Sequence, residues 1–297
     1  MPFLGTLLGL SAATTWAVAS LVAHRPVRHF GTFSFVQIQL PSSALLLALV
    51  VTVLGTWNTV SFDHVSAIAV SGFVGILLGD LFLHRCLELG GPRRMQVLFA
   101  LNAPLAATLG FVFLGEILPT SHAFGGTLML VGVLMAIVFV RNDDKENILE
   151  QVDGRMTIVV FWGLGAALCQ AIGLIAVKPA IDGGADPLAV SAYRTAGSAV
   201  LIMIMGAFPM WRYPKVHAKN IGVFVQCVLA GWMGYVLAMS LLLIALRYYD
   251  TGVVAVMGST VPVMLLPIMW VKTGKRPPLA AWLGAALVVA GSAVIIL

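Results

Sequence analysis

Residues 65–87 read VSAIAVSGFVGILLGDLFLHRCL, an apolar run that contains a single carboxylate, Asp80. An α-helix rises about 1.5 Å per residue, so about 20 apolar residues cross the hydrocarbon core of a bilayer. The run is continuous rather than alternating, and it is too long for a strand of a membrane barrel. It therefore predicts a membrane-spanning helix with an acid inside it.

Runs of this kind recur along the whole chain. The 297 residues are 60% hydrophobic and only 10% charged, whereas soluble proteins carry about 25% charged residues. We expect an all-α polytopic membrane protein, embedded in the lipid bilayer, with ten transmembrane helices. The predicted spans are 3–23, 33–54, 65–87, 95–115, 121–140, 156–177, 187–209, 219–245, 251–271 and 278–297.

The same composition disfavours several other classes of protein. Lys and Arg are scattered a few per loop and form no basic stripe, so no nucleic acid is expected as a partner. The three cysteines are far apart and show no metal-ligand or disulfide spacing. Neither a metal nor a cofactor is expected.

The chain divides near its middle into two similar halves. The charged segment RNDDKENILEQVDGR predicts a linker over 141–155 between a first five-helix repeat, 1–140, and a second, 156–297. At an offset of 155 residues, Asp80 aligns with Tyr235. An odd number of spans per repeat inserts the second copy upside down, and inverted repeats around a midplane site are typical of secondary transporters.

The loop charges predict an orientation. Of the 17 Lys and Arg residues, 14 lie in loops 1–2, 3–4, 5–6, 7–8 and 9–10, where the numbers are those of the joined spans. We call this end of the helices the basic end. The positive-inside rule predicts that the basic end is cytoplasmic and that both termini lie outside.

Two charges are predicted inside spans, namely Asp80 and Arg194. Each costs roughly 2.5–3.5 kcal/mol near a helix centre, which requires a partner or a wet cavity. Asp80 is expected nearer the cytoplasmic side and Arg194 nearer the outside. They are interpreted as lining a cavity, with a structural ion pair between helices as the alternative. His84 and Glu88 share a helix face with Asp80, but we interpret both as the wet end of that helix rather than as metal ligands.

Uncharged polar and aromatic side chains occupy repeat-related positions in the predicted spans. Such groups suit an apolar pocket with a few placed hydrogen bonds, and interhelical hydrogen bonding is the alternative. The residues predicted to join Asp80 and Arg194 at a substrate site are Trp16, Gln37, Gln39, Gln170, Tyr193 and Tyr235. Glycines seven apart in spans five and ten predict close helix packing, within one chain or between two.

One stretch resembles a known family. GDLFLHRCLELGGPRRMQVLFALNAPLAATLGFVFLGEIL (79–118), followed by GGTLMLVGVLMA (125–136), is similar to the bacterial EamA-type transporters of the drug/metabolite transporter superfamily. The resemblance implies ten helices in two inverted five-helix repeats around a central cavity, in the cytoplasmic (inner) membrane. It also implies transport, usually export, of amino acids, other metabolites or drugs.

The chain departs from that family in two respects. The second repeat has VKTGKRPP (271–278) where the first ends its fourth span in LGE. Typical relatives also have cytoplasmic termini, so the orientation predicted here is the reverse, and the family orientation is the alternative.

These observations predict a secondary transporter of a small organic solute that works by alternating access. Export is the expected direction, and the protein is expected to be a monomer or a homodimer. Asp80 is expected to receive an amino group or a proton and Arg194 a carboxylate, which suits a zwitterion such as an amino acid. Trp16 and Tyr193 are expected to pack on an apolar portion. The alternatives are an importer or facilitative uniporter of reversed orientation, a passive channel or scaffold, and an intramembrane enzyme. The enzyme is disfavoured because no nucleophile motif or second intramembrane carboxylate is present.

Overall fold

The computed structural model of the chain describes residues 2–117, 119–138, 156–208, 220–273 and 279–296. Helices and short turns make up these residues, and none of them forms a β-strand. The predicted linker, 141–155, lies outside the described residues. The expected all-helical fold is thus confirmed for the part of the chain that is described.

The helices follow one another through both halves. In the first half they are α1 (Pro2–Phe30), α2 (Thr32–Leu54), α3 (Val65–Val70), α4 (Gly79–Phe99), α5 (Asn102–Leu109) and α6 (Thr120–Val138). In the second half they are α7 (Met156–Asp182), α8 (Pro187–Ala207), α9 (Ile221–Gly231), α10 (Ser240–Ala245), α11 (Thr251–Gly258), α12 (Val261–Thr273) and α13 (Leu279–Ile296). Wide π-helical segments continue three of these helices, at Ser71–Leu78, Gly110–Leu114 and Trp232–Met239.

Seven helical runs among the described residues are long and apolar enough to cross a membrane. They are Phe3–Phe30, Thr32–Leu54, Phe62–Gly91, Met156–Asp182, Pro187–Ala207, Ile221–Ala245 and Thr251–Ile268. Each coincides with a predicted span. Two shorter apolar helices, Asn102–Leu114 and Leu279–Gly291, fall in the predicted fourth and tenth spans. A multi-pass membrane protein follows, although the count of ten spans stays a prediction.

The first connection is much shorter than expected. Helix α1 runs past its predicted end at residue 23 and stops at Phe30, and Gly31 alone separates it from α2. Gly31 has a φ of 78°, a conformation that glycine adopts without the strain a Cβ would cause. Arg25 and Arg28 lie in the extra turns of α1. Long basic side chains near a helix end can extend their charged groups towards the membrane surface, so these turns are compatible with the bilayer.

The fourth predicted span is broken rather than continuous. Helix α4 ends at Phe99 and α5 begins at Asn102. Pro104 has no backbone N–H, so the carbonyl of Ala100 loses its helical donor. The Ala103 N–H donates to that carbonyl at 3.3 Å. The Ser259 hydroxyl of the other half lies 3.3 Å from the same carbonyl and 2.9 Å from the Ala255 carbonyl, and it shares its one proton between them.

The second half bends at the equivalent place. Helix α11 ends at Gly258, α12 starts at Val261, and Pro262 follows. The Asn102 side-chain amide donates to the Ser259 hydroxyl at 3.1 Å. The two breaks therefore lie against each other, as expected for discontinuous helices near the centre of an inverted-repeat transporter.

The predicted packing faces of α6 and α13 meet within one chain. A Cβ added to Gly132 would lie 2.5 Å from the Gly284 carbonyl oxygen, and one added to Gly291 would lie 2.5 Å from that of Gly125. Small residues at such positions let helix backbones approach closely in a membrane. This contact joins the last helices of the two halves.

Candidate functional site

A cavity of about 110 Å³ lies between the two halves of the chain. A water molecule needs about 10–15 Å³ of such space, so the cavity accommodates several waters or a small organic molecule. Five of the eight predicted site residues line it, and they come from both halves: Trp16, Gln39, Asp80, Gln170 and Tyr235.

Asp80 lies in the first turn of α4, directly after the π-helical segment Ser71–Leu78. Its side chain is only 7% exposed. The Gln39 amide donates to Asp80 Oδ2 at 2.7 Å, and the Tyr235 hydroxyl also donates a hydrogen bond to the carboxylate. A carboxylate has about four lone-pair positions, so two donors leave it able to accept more from the cavity.

Tyr235 lies in the matching π-helical segment of the second half, Trp232–Met239. The repeat alignment had paired its position with Asp80, and the structure brings the two side chains together. The Trp16 indole N–H donates to the Gly234 carbonyl at 3.2 Å, which ties α1 to the same segment. Short π-helical segments often occur at functional sites, and here one from each half borders the cavity.

Gln170 and three residues that the sequence analysis did not assign to the site complete its polar lining. Gln170 is 7% exposed and Gln96 is 6% exposed. His84 is 9% exposed, and its Nδ1 lies 2.9 Å from the Asp80 carbonyl oxygen. Ser20 also lines the cavity.

The interpretation of His84 as a wet helix end is therefore wrong. Its ring lines the cavity and packs against Phe35, with ring centroids 4.7 Å apart. The four-residue spacing from Asp80 was the signal that pointed to it, since residues at i and i+4 share a helix face. Glu88, in contrast, accepts hydrogen bonds from Arg85 and Thr32 at 2.8 Å and does not line the cavity.

Arg194 is buried behind the cavity rather than lining it, with 1% of its surface exposed. A Cβ on Gly75, which does line the cavity, would be 3.3 Å from Arg194 Nη2, and one on Gly173 would be 3.4 Å away. No described residue accepts a hydrogen bond from its Nε, Nη1 or Nη2. The neutral Tyr235 hydroxyl is close to both Arg194 and Asp80.

Three helices cross at Arg194, and small residues make this crossing possible. A Cβ on Gly75 would lie 2.7 Å from the Cα of Gly173, so these backbones touch. The Ser198 hydroxyl donates to the Gly72 carbonyl at 2.8 Å. The crossing fixes α8 and α7 against the first half and encloses the guanidinium.

The two other predicted site residues also lie outside the lining. The Gln37 amide reaches the Ile202 carbonyl at 3.5 Å, in the contact between α2 and α8. Tyr193 is 44% exposed, and its ring meets Trp57 edge-on with centroids 5.0 Å apart. Gln37 lies on a helix that lines the cavity through Gln39 but faces away from it, whereas α8, which carries Tyr193, contributes no residue to the described lining.

The cavity is displaced towards the basic end of the helices. In α1 its lining runs from Trp16 to Ala23, the part that leads to loop 1–2. In the third span it runs from Gly75 to Leu87, the part that leads to loop 3–4, and it continues with Met95 beyond that loop. The halves of these helices that lead to the opposite end do not contribute to it.

At the opposite end the two halves are joined by polar contacts. Gly115, with a φ of 67°, turns the chain so that Glu116 faces the start of α11. There its carboxylate accepts hydrogen bonds from the backbone N–H of Thr251, at 3.1 and 3.2 Å, and from the Thr251 hydroxyl. The hydroxyls of Thr6 and Tyr249 are 2.9 Å apart nearby. We call this set of contacts the closed end.

The described residues contain no group of three or more His, Cys, Asp or Glu side chains placed to hold a metal ion. The cavity therefore offers a carboxylate, several amides, a phenol and an imidazole on largely apolar walls. This combination suits reversible binding of an organic molecule, with the polar groups fixing its orientation.

Comparison with known proteins adds the following. The sequence model of the EamA-like transporter family matches residues 3–138 and again residues 157–297. A solved structure described only as "Crystal structure of protein" has a TM-score of 0.75 and 17% identity, over 98% of this chain and 95% of that chain. At that identity it shows the fold alone. No curated protein matches the sequence.

Proposed function

Because the chain belongs to the EamA-like transporter family, we propose that it carries a small organic solute across a membrane by alternating access. The central cavity is the binding site in this proposal. The two halves rock about it, and the helix breaks at Ala100–Leu101 and Ser259–Thr260 absorb the change in shape. Discontinuous helices around a midplane site serve this purpose in other inverted-repeat transporters.

The single observation that carries the proposal is the position of Asp80 in the cavity between the two halves. This carboxylate is buried between the halves, lines the cavity and has two described donors from different helices. Placing an acid inside a membrane costs free energy, so an intramembrane acid indicates a functional site. Asp80 is placed to recognise a solute, and a proton could occupy the same carboxylate when the solute leaves.

The direction that we propose is export, as is usual in the family that the sequence resembles. The lining of the cavity extends towards the basic end, which the positive-inside rule predicts to be cytoplasmic. A cytoplasmic solute would then enter the cavity while the closed end prevents its passage. The bacterial inner membrane and the outward termini are part of this proposal.

Counterflow in proteoliposomes tests the transport proposal. Vesicles are preloaded with an unlabelled solute, taken from a panel of amines, amino acids and organic acids, and the labelled solute is added outside. A carrier accumulates label transiently and saturates with solute concentration, whereas a channel does neither. Absence of counterflow for every solute in the panel would contradict a carrier function.

The Asp80→Asn variant connects this transport to the cavity. We expect it to lower the transport rate by about 100-fold, because truncating a desolvated charged partner typically costs 2–5 kcal/mol. Asp63→Asn is the matched control, since Asp63 is an exposed carboxylate in loop 2–3. Equal transport by both variants would rule out Asp80 as the binding group.

A further inference from the structure

The charges around the cavity are strongly one-sided. Among its described lining residues, Asp80 is the only carboxylate and there is no Lys or Arg. Arg194, the one intramembrane cation expected at the site, is 1% exposed and does not line the cavity. A solute in the cavity therefore meets the Asp80 carboxylate, with the His84 imidazole on the same helix, and it meets no Lys or Arg side chain.

From this arrangement we propose that the solute is an organic cation, a protonated amine with an apolar portion and no carboxylate. The proposal rests on the transport function above and specifies the class of substrate. It differs from the zwitterion hypothesis, which needed Arg194 inside the cavity to receive a carboxylate.

The hydrogen-bond donors next to Asp80 are engaged, whereas the Gln96 and Gln170 amides lie elsewhere in the lining as neutral donors. The Gln39 amide and the Tyr235 hydroxyl both donate to Asp80, and the Trp16 indole donates to Gly234. A carboxylate brought beside Asp80 would lose its hydration and face a like charge, a large cost in a low-dielectric site. An ammonium group gains there, because it supplies up to three donors to an oxygen-rich partner.

The walls around Asp80 suit the rest of such a molecule. Leu83 and Leu87 extend along α4 from the acid, and Phe99 lies at the end of the same helix, beyond its kink at Gly91. Met239 closes the space from the second half. Trp16 and Tyr235 add aromatic rings next to the carboxylate. Aromatic faces attract organic cations, with greater strength where water is excluded.

Solutes matched in shape but not in charge test this inference. Three sets are compared on the purified full-length protein: butylamine, 2-aminopentanoate and pentanoate; phenethylamine, phenylalanine and 3-phenylpropionate; and tryptamine, tryptophan and indole-3-propionate. Dissociation constants are measured by calorimetry in detergent. We expect the amine to bind best in at least one set, by about tenfold or more over its amino acid, which corresponds to about 1.4 kcal/mol.

Asp80→Asn should lower the affinity for that amine by at least about tenfold, whereas Asp63→Asn should not change it. Folding of each variant is checked by gel filtration and thermal unfolding. The inference is overturned if in every set the amino acid binds as tightly as its amine, if no amine binds in any set, or if Asp80→Asn leaves amine binding unchanged in a folded protein.

Failure of the inference and failure of the transport proposal give different results. Saturable, Asp80-dependent counterflow of an amino acid, with no preference for its amine, would keep the transporter and overturn the substrate class. Asp80-dependent amine binding without counterflow would keep the charge preference of the site and overturn transport.

Discussion

In the cavity, the first half of the chain contributes a carboxylate, Asp80, where the second half contributes a phenol, Tyr235. At the closed end the first half again supplies the acid, Glu116, and the second half supplies the donors of Thr251. The two halves have similar helices, but the side chains that meet between the halves differ in chemical type. A second buried acid opposite Asp80 would repel the first, whereas a hydroxyl donates to it.

The difference also concerns the two ends of the molecule. Glu116 ends the fourth span of the first half and holds the start of α11. The corresponding sequence of the second half, VKTGKRPP, has no carboxylate. The acid is thus present at the closed end and missing from the equivalent place at the basic end, towards which the cavity extends. The two repeats therefore differ in the side chains available to hold the halves together at each end, and this difference favours the arrangement that is closed at the Glu116 end.

The backbone contact between the halves at Gly75 should be the most sensitive feature. Gly75→Ala places a Cβ 2.7 Å from the Cα of Gly173, and no side-chain movement relieves a clash with backbone. We expect a loss of about 2 kcal/mol in the free energy of unfolding, typical of overpacking. The measurement is unfolding of the purified protein by titration with sodium dodecyl sulfate.

Gly197→Ala is the control for this substitution. Gly197 is an exposed glycine in α8, and a Cβ there would meet nothing within 4 Å. Alanine in a helix interior should stabilise it by about 0.5–1 kcal/mol. If both variants change stability equally, the close approach of the halves is not what Gly75 provides.

Glu116→Gln should weaken the closed end by a smaller amount. The amide keeps an acceptor for Thr251 but loses the charge, and charge-assisted hydrogen bonds contribute about 1.5–3 kcal/mol against roughly 1 kcal/mol for neutral ones. We expect more frequent opening at that end. A cysteine at Val253, buried just inside it, should react with a thiol reagent about tenfold faster, the ratio for about 1.4 kcal/mol.

The labelling experiment uses a background in which Cys86, Cys169 and Cys227 are replaced by alanine. Asp63→Asn, which removes an exposed carboxylate at the same end, should leave the labelling rate of Val253→Cys unchanged. An unchanged rate in Glu116→Gln would show that the carboxylate does not hold the halves together.

Removing the Tyr235 hydroxyl should have the smallest effect. Tyr235→Phe keeps the ring in the cavity wall and deletes one donor to Asp80, at a cost of about 1 kcal/mol. The affinity for the best amine should fall about fivefold. Tyr193→Phe, on an exposed ring outside the cavity, should bind like the wild type, and a matching loss in both variants would exclude Tyr235 as a specific partner of Asp80.

Periodicity and composition predicted the membrane-spanning helices, and the repeat alignment predicted that Asp80 and Tyr235 occupy related positions. The breaks at Ala100–Leu101 and Ser259–Thr260 were harder to predict, although Pro104 and Pro262 were visible in the sequence. A proline removes one helical hydrogen bond, but whether the helix bends or stops depends on what else satisfies the freed carbonyl. At Ala100 the Ala103 N–H and the nearby Ser259 hydroxyl of the other half take the place of the missing donor.

The sequence by itself determined that the chain is an all-helical membrane protein with two similar halves. No water is available in the hydrocarbon core, so apolar runs of this length satisfy their backbone N–H and C=O groups by forming helices. The sequence also singled out Asp80, since a charge inside an apolar run is costly anywhere in a membrane. Only the tertiary structure decided which polar side chains share the cavity with that acid. His84 faces inwards, whereas Gln37 and Tyr193 face away and Arg194 is enclosed behind Gly75. The rotation of each helix about its axis depends on contacts with distant segments, and Arg194 is buried because glycines on two other helices leave room for it.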